Sequence, residues 1–331
     1  MENEVINLEE FGLSDEELFS HYDNSNYESE KVTAPRYSYW KSVFRVFFKK
    51  KINIIILLLL GVVIVFAYLY PAISGYSASP EDMYNINAQK LDTWHLSPSQ
   101  AIDKFGFSLS WILGSGDHGQ STFDSLWYGS SISISLALAC AAINLVIGII
   151  IGAIWGFSKK VDLVMTEVYN IIGNIPYTLI VSVLVLILTA SFWTMVFAMT
   201  ITGWLGIAYF IRTQVIVIRD REYNLASRCL GTPMFRLTMR NVLPFMTSVI
   251  VTLAATEIPS YISSEVFLSY IGLGISDMTL GRIIQQTQSF MAVPEWGFEY
   301  WSPIIISAII TIILYVVGQN LGDASDPKTH M

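Results

Sequence analysis

Two carboxylates and a tyrosine are the groups in this sequence best placed to contact a polar solute in an apolar setting. Glu257, Tyr261 and Glu265 follow one another at four-residue intervals in a segment that is otherwise mainly apolar. Residues four apart share one face of an α-helix. Because a carboxylate in hydrocarbon is unfavourable, we expect this stripe to line a solvated pathway. The alternative is structural: Glu257 bonds to a Ser or Thr of a neighbouring helix, and Glu265 lies near the outer helix end in water.

Groups for covalent or hydrolytic catalysis are missing from the apolar segments. Four histidines occur, all in polar segments: His21, His95, His118 and His330. This pattern disfavours an intramembrane enzyme with a Ser–His site. No GxxxxGK[ST] phosphate loop occurs, so any ATP hydrolysis belongs to other chains. Cys140 lies in an apolar run and Cys229 in a basic one, without metal-ligand spacing, so we expect no disulfide, metal or cofactor.

The composition indicates a membrane protein. Hydrophobic residues make up 53% of the 331 positions and charged residues only 14%, whereas soluble domains carry about 25% charged residues. The net charge of −8 comes largely from an acidic N-terminal run at residues 2–17. This run predicts a solvated extension and gives no case for nucleic acid.

Six apolar segments are long enough to cross a bilayer as helices, some only with neighbouring residues included. The predicted spans are 52–70, 130–157, 177–189, 192–211, 245–268 and 303–321. We expect the third to begin near Asn170 and to pass through Pro176. Asn170, Asn174 and Pro176 either form part of an inner gate or cap and kink this helix. Gly148 and Gly152 have the GxxxG spacing that permits close helix packing.

Basic residues predict the orientation. Sixteen of the 19 lysines and arginines fall in the N-terminal segment, the second and fourth connections and the C-terminus. Because cytoplasmic loops are enriched in such residues, both termini are predicted to be cytoplasmic. The predicted regions are a cytoplasmic extension with an interfacial helix (1–51), a first span (52–70), an extracellular loop (71–128), a five-helix core (129–321) with a coupling loop (212–244), and a cytoplasmic tail (322–331).

The most informative polar segment is the basic connection before the fifth span. Residues 222–230 predict a short helix that Gly231 ends and that Pro233 cannot continue. From residue physics alone, a helix lying on the inner leaflet, with its arginines at lipid phosphates, explains this segment as well as a docking element does.

This segment resembles the "EAA" loop of bacterial ABC importer permeases. That loop has two small residues after an acid, a glycine four positions later and Leu-Pro thirteen beyond that. Here the matches are Ala226, Ser227, Gly231, Leu243 and Pro244. Leu225 occupies the position of the usual glutamate, and Glu222 lies three residues earlier. In the family this helix docks into a cleft on the ATPase, so the resemblance assigns coupling to Glu222, Leu225, Ala226, Ser227, Gly231 and Pro244.

Three further segments are similar to dipeptide and oligopeptide permeases, in the same order along the chain. Residues 113–133 resemble "FGTDxxGRD…YGaRxSL", residues 265–274 resemble "E..LSFLGLG", and residues 319–327 resemble "GDxLRDxLDP". Charged positions of the first pattern are occupied here by Gly116, Gln120, Ser121 and Ser131. The chain therefore resembles the C-type permease subunits of Gram-positive oligopeptide (Opp/Ami) ABC importers.

The resemblance implies a type I importer permease fold in the bacterial cell membrane and a non-catalytic subunit that works by alternating access. Its partners would be a second homologous permease, two ATP-binding subunits, an extracellular peptide-binding lipoprotein and the lipid bilayer. The Glu257, Tyr261 and Glu265 stripe would contact the amino terminus or backbone of an oligopeptide. A related importer for another solute, such as nickel, remains an alternative, as does a secondary transporter or channel.

Overall fold

The computed structural model of the protein describes residues 38–76 and 93–326. The chain divides into two units, residues 1–39 and 40–331, and the fold below concerns the second. Predictions about the acidic extension, about residues 77–92 of the outer loop and about the last five residues fall outside the described part.

The described residues form helices joined by short turns, and strand pairing in these ranges is limited to one bridge between Ser115 and Ser121. The helices are α1 Tyr39–Lys49, α2 Lys51–Ser74, α3 Pro98–Phe105, α4 Thr122–Phe157, α5 Lys159–Gly173, α6 Tyr177–Ile187, α7 Phe192–Arg219, α8 Glu222–Cys229, α9 Met234–Leu237, α10 Thr247–Tyr270, α11 Leu280–Thr287 and α12 Gly297–Ser325. A π turn and a 3₁₀ turn join α9 to α10, so that Met234–Tyr270 is nearly continuous.

The prediction of an all-α membrane protein is confirmed. Among the described residues, five helical segments are long and apolar enough to cross a membrane: α2, α4, α7, Met234–Tyr270 and α12. The pair α5 and α6 supplies a sixth crossing if the two together count as one span.

The third span differs from the prediction of a helix running through Pro176. The helix is interrupted between Gly173 and Tyr177, and the axes of α5 and α6 differ in direction by 75°. Proline disfavours the helical conformation of the residue before it and cannot donate a helical hydrogen bond. With 11 residues, α6 is only about 16 Å long, too short to cross the hydrocarbon core alone. The predicted kink is therefore confirmed, whereas the inner-gate role of Asn170, Asn174 and Pro176 stays a prediction.

Several predicted span boundaries also move: α7 runs on to Arg219, into the predicted coupling loop 212–244, and α12 covers Gly297–Ser325 where 303–321 was predicted. Residues 122–128, expected in the outer loop, form the first turns of α4, because the Ser121 side chain accepts a hydrogen bond from the backbone N–H of Asp124. The first span continues past Pro71 to Ser74, since a π turn at Val65–Leu69 widens the helix just before the proline ring.

Small residues bring α4 and α7 close together. A Cβ atom added at Gly148 would lie 2.6 Å from Ile207, and one at Gly152 would lie 2.5 Å from the carbonyl oxygen of Ala208. The close packing predicted from the GxxxG spacing is confirmed. Buried apolar side chains from α4, α6, α7, α10 and α12 form the main core, including Leu136, Val185, Met199, Ile262 and Ile310.

A helix, α1, is present where the interfacial helix is predicted, and its place at the membrane surface stays a prediction. Trp40, Phe44 and Phe48 are exposed along one side, with ring centroids 6.5 and 6.4 Å apart in sequence order. Val43 and Phe47 are buried on the other side. A row of exposed aromatic rings beside lysines suits the headgroup region of a bilayer.

Candidate functional site

A cleft of about 440 Å³ opens between the α5–α6 break, α7 and α10. The break supplies Pro176 and Tyr177, α7 supplies Gly203 and Gly206, and α10 supplies a polar stripe. That stripe consists of Glu257, Ser260, Tyr261 and Ser264. The kink therefore helps to shape the cleft, because the residues at the interruption between α5 and α6 form one of its walls.

Glu257 and Tyr261, two of the three residues predicted to line a pathway, both border this cleft. The Tyr261 hydroxyl accepts a hydrogen bond from Asn144 Nδ2 at 2.5 Å and interacts with the Glu257 carboxylate one turn earlier. Gly203 leaves the room for this contact, since a Cβ atom there would lie 2.7 Å from Asn144 Nδ2 and 2.8 Å from the Tyr261 hydroxyl. The network thus fixes the tyrosine beside the carboxylate.

Glu265, the third predicted residue, does not line the cleft. Its side chain is completely buried and accepts hydrogen bonds from Ser133 and Ser269, each at 2.8 Å. Ser133 Oγ in turn accepts the backbone N–H of Leu280 at 3.2 Å. Glu265 therefore links α10 to α4 and to the start of α11. The prediction that Glu265 lines the pathway is therefore corrected. The alternative that placed Glu265 in water is corrected too, because both of its carboxylate oxygens bond to serine hydroxyls of the protein.

The electrostatic character of the cleft is set by one group. Among the described residues that border it, Glu257 is the only acid, and no lysine, arginine or histidine is present. Tyr169, Tyr177 and Tyr261 add aromatic surface. A carboxylate beside aromatic rings, with no competing cation, suits a positively charged solute group.

The short helix predicted at residues 222–230 is present as α8. Gly231 follows it with a φ of +81°, the left-handed conformation that glycine adopts readily at helix ends. Asn224 is buried and donates from Nδ2 to the carbonyl of Ile218 at 2.8 Å, and Asn241 Nδ2 donates to Asn224 Oδ1 at 3.2 Å. These bonds hold α8 against the end of α7 and against the turn that leads to α10.

The predicted coupling residues lie on the open side of this loop. Glu222, Leu225, Ala226, Gly231 and Pro244 are exposed, and Ser227 is half-buried with its hydroxyl bonded to the Tyr223 carbonyl. Two apolar side chains that the motif does not include protrude further: Leu230 is 86% exposed and Phe235 is 74% exposed. Exposed apolar side chains of this size on a basic loop are available for contact with a partner protein or with lipid.

Sequence reasoning missed the polar residues that position these groups, Asn144 and Asn224. A lone amide within the long apolar α4 could have indicated the first, because polar side chains in spans pair with a neighbour. Asn224 carries no such signal in the sequence. In residues 38–76 and 93–326, no group of three or more His, Cys, Asp or Glu side chains could hold a metal ion.

Comparison with known proteins agrees with these features. Residues 144–331 match the family model "Binding-protein-dependent transport system inner membrane component", and residues 38–98 match "N-terminal TM domain of oligopeptide transport permease C". The chain is 42% identical to the oligopeptide transport system permease protein AmiD of Streptococcus pneumoniae, over 96% of this chain and 98% of the relative. It is 32% identical to OppC, an oligopeptide transport system permease protein of Bacillus subtilis, over 91% and 93%. It is 29% identical to DppC, a dipeptide transport system permease protein of the same organism, over 95% and 93%.

Proposed function

Because the chain belongs to the family of binding-protein-dependent transport system inner membrane components, in its oligopeptide permease branch, we propose that it forms half of the pathway of an ATP-driven oligopeptide importer. The protein is a multi-pass transport component of the bacterial cell membrane. A second, homologous permease would close the pathway, two ATP-binding subunits would drive it, and an extracellular peptide-binding lipoprotein would deliver the solute.

The observation that carries this proposal is the cleft beside α10. It is open along one side of a single chain, as half of a pathway between two subunits would be, and it combines a carboxylate, hydroxyls and aromatic rings. Peptides offer backbone amides to hydroxyls and a free amino terminus to a carboxylate. We assign Glu257 and Tyr261 to contact with the peptide, with Glu257 facing its terminal ammonium group.

The exposed loop around α8 supports coupling to a separate ATPase. Leu225 replaces the glutamate that the family pattern carries there, so a salt bridge from that position is not available. Leu225, Leu230 and Phe235 instead present apolar side chains, while Arg228 and Arg236 lie beside them on the same loop. We assign docking to this apolar surface, against an ATPase cleft with apolar walls and an acidic rim. Glu222, Ala226, Ser227, Gly231 and Pro244 complete the docking segment.

Transmission to the pathway follows from the bonds at Asn224 and Asn241. A displaced α8 pulls on α7 and on the turns that lead into α10, and these two helices border the cleft. Alternating access then needs movement of helices and no chemistry within this chain. This scheme requires α8 to be cytoplasmic, as the distribution of lysine and arginine predicts.

The role of Glu257 can be tested with one peptide in two forms, a free amino terminus and an acetylated one. An ammonium group about 5 Å from the carboxylate gains roughly 3 kcal/mol at an effective dielectric constant of about 20. Allowing for residual hydrogen bonding by glutamine, we expect Glu257→Gln to reduce the preference for the free amine by about tenfold or more. Uptake into proteoliposomes that hold the whole transporter and its binding protein gives the ratio of rates.

The ratio cancels the preference of the binding protein, since the same binding protein serves every variant. Glu167→Gln is the matched control, because Glu167 is an exposed acid on α5 that does not border the cleft. An unchanged ratio in Glu257→Gln would contradict the assignment of Glu257 to the peptide ammonium group and would leave the importer proposal standing. Peptide uptake that vanadate does not inhibit would remove the importer proposal itself and favour a secondary transporter, and uptake of another solute in place of peptides would favour a related importer.

A further inference from the structure

A second, much smaller cavity lies between the turn before α4, α11 and the start of α12. Its volume is about 20 Å³, room for one water-sized occupant, since a water needs roughly 10–15 Å³. The polar side chains that border it are Asp117, Gln120, Thr122, Ser125, Gln286, Thr287 and Glu299. It is separate from the cleft beside α10, and no residue borders both.

Two deeply buried oxygen atoms at this cavity have no hydrogen-bond partner. Glu299 is 1% exposed and its Oε2 is unpaired, and Thr122 is 5% exposed and its Oγ1 is unpaired. Leaving such atoms unsatisfied costs about 1–3 kcal/mol each, and more for a charged group. Two unpaired oxygens at one small cavity therefore point to an occupant that both can contact.

His95 holds the Glu299 carboxylate in a fixed orientation. His95 Nδ1 lies 2.8 Å from Glu299 Oε1, so Oε2 is left for the cavity. The imidazole stacks on Trp296 with ring centroids 4.5 Å apart and meets Phe290 edge-on at 4.7 Å. Among the described residues His95 is the one non-glycine residue with positive φ, +51°, and such strain is kept where surrounding contacts require it.

The remaining side of the cavity is also acidic and is held in place. Asp117 interacts electrostatically with Glu299, and Gln120 Nε2 donates to Asp117 Oδ1 at 3.1 Å. Backbone bonds between Gly116 and Gln120 and the bridge between Ser115 and Ser121 fix the turn that carries Asp117. His118 Nε2 lies 3.8 Å from Asp117 Oδ2, and no lysine or arginine borders the cavity among the described residues. Two carboxylates with neutral oxygens and no lysine or arginine are the ligand chemistry of a hard metal ion.

We propose that this cavity binds one Ca²⁺ ion, with Glu299 Oε2, Asp117 and Thr122 Oγ1 as its protein ligands. Ca²⁺ accepts irregular sets of carboxylate, hydroxyl and amide oxygens, whereas Mg²⁺ requires a near-ideal octahedron and releases its waters reluctantly. The two carboxylates balance its charge, and Thr287 and Gln286 offer further oxygens. His95 is a positioning residue, since it contacts Glu299 and not the ion. A bound ion would fasten the turn before α4 to the first turn of α12.

The experiment measures Ca²⁺ binding by the complete permease–ATPase complex, purified without nucleotide and stripped with a chelator. Equilibrium dialysis against radioactive Ca²⁺ gives affinity and stoichiometry. With two carboxylates we expect one site per copy of this chain with a Kd of about 10⁻⁴–10⁻³ M, and no displacement by equimolar Mg²⁺. Glu299→Gln should abolish the site while keeping the side-chain shape, and Thr122→Val should weaken it without changing volume. His95→Asn should weaken binding by about 10- to 100-fold, as expected when a ligand loses its supporting hydrogen bond.

Glu295→Gln is the matched control, because Glu295 is an exposed acid in the turn before α12, four residues before Glu299, and does not border the cavity. Each variant must elute from size-exclusion chromatography at the same volume as wild type. Its thermal unfolding temperature is then measured with and without Ca²⁺. The proposal is supported if wild type and Glu295→Gln bind Ca²⁺ and unfold at a higher temperature with it, while Glu299→Gln does neither. No saturable binding up to 10-fold above the expected Kd range overturns it and leaves a buried water as the occupant. Binding that survives in Glu299→Gln also overturns it, because the ion would then lie elsewhere in the complex.

Discussion

Gly231 allows a test in which backbone strain and docking can be separated. Its φ is +81°, and a Cβ atom added there would meet nothing within 4 Å. A non-glycine residue in this conformation costs roughly 1–2 kcal/mol, whatever its size. Gly231→Ala and Gly231→Trp should therefore lower the free energy of unfolding by the same amount, because neither side chain has a neighbour in this chain to contact.

Transport should distinguish the two variants. If α8 docks into a cleft on an ATPase, the indole must displace atoms of that partner, and overpacking costs roughly 1–3 kcal/mol. We expect vanadate-sensitive peptide uptake in membrane vesicles to fall roughly 5- to 150-fold in Gly231→Trp relative to Gly231→Ala. The ATPases should also copurify less well with the Trp variant.

A second glycine supplies the control for bulk alone. Gly75 ends α2 with a φ of +66° and also has open space around its Cβ position. Gly75→Trp carries the same kind of strain and the same side chain but lies outside the docking segment. Uptake should match that of Gly75→Ala. If Gly231→Trp transports as well as Gly231→Ala, the docking assignment for α8 is wrong.

Three further changes test the packing that supports the cleft. Gly152→Leu should lower the thermal unfolding midpoint of the complex markedly, with a loss of about 1–3 kcal/mol or more from forced separation of α4 and α7, whereas Gly61→Leu, in open space on α2, should not. Glu265→Leu should cost about 2–4 kcal/mol in the same assay, because it leaves two buried hydroxyls without their carboxyl acceptor; an unchanged midpoint would count against the structural role. Arg212→Lys should speed hydrogen exchange in α5, since a lysine ammonium cannot both pair with Asp162 and lie over the aromatic rings of Trp155 and Tyr209 as the guanidinium does.

Local features of the fold followed directly from the amino-acid sequence. Span lengths follow from apolar run length, since hydrocarbon thickness sets the number of residues needed. The stop at Gly231 follows from backbone chemistry that needs no neighbours, and Pro176 made a kink one expected outcome, but only the structure showed that the helix is interrupted there. The close approach of α4 and α7 follows from Gly148 and Gly152, because only small residues permit it.

The direction in which individual polar side chains point was decided by the tertiary structure. In a soluble helix, polar and apolar faces differ and the pattern shows which side is inside. A membrane helix is apolar toward both lipid and protein, so the spacing of Glu257, Tyr261 and Glu265 could not show that the first two border a cleft while the third is sealed against Ser133 and Ser269. The spacing gave a shared helix face, but α10 has different neighbours along its length, and those neighbours decide which carboxylate meets solvent.

The same reason applies to groups that lie far apart in the chain. Asn144 and Tyr261 are 117 residues apart, and His95 and Glu299 are 204 apart. No local pattern links either pair, because each contact exists only after the helices have packed. The sequence by itself therefore determined the membrane spans, the helix stop at Gly231 and the exposed loop. Packing between helices determined the polar network in the cleft and the small acidic cavity, since both are built from side chains that only the folded bundle brings together.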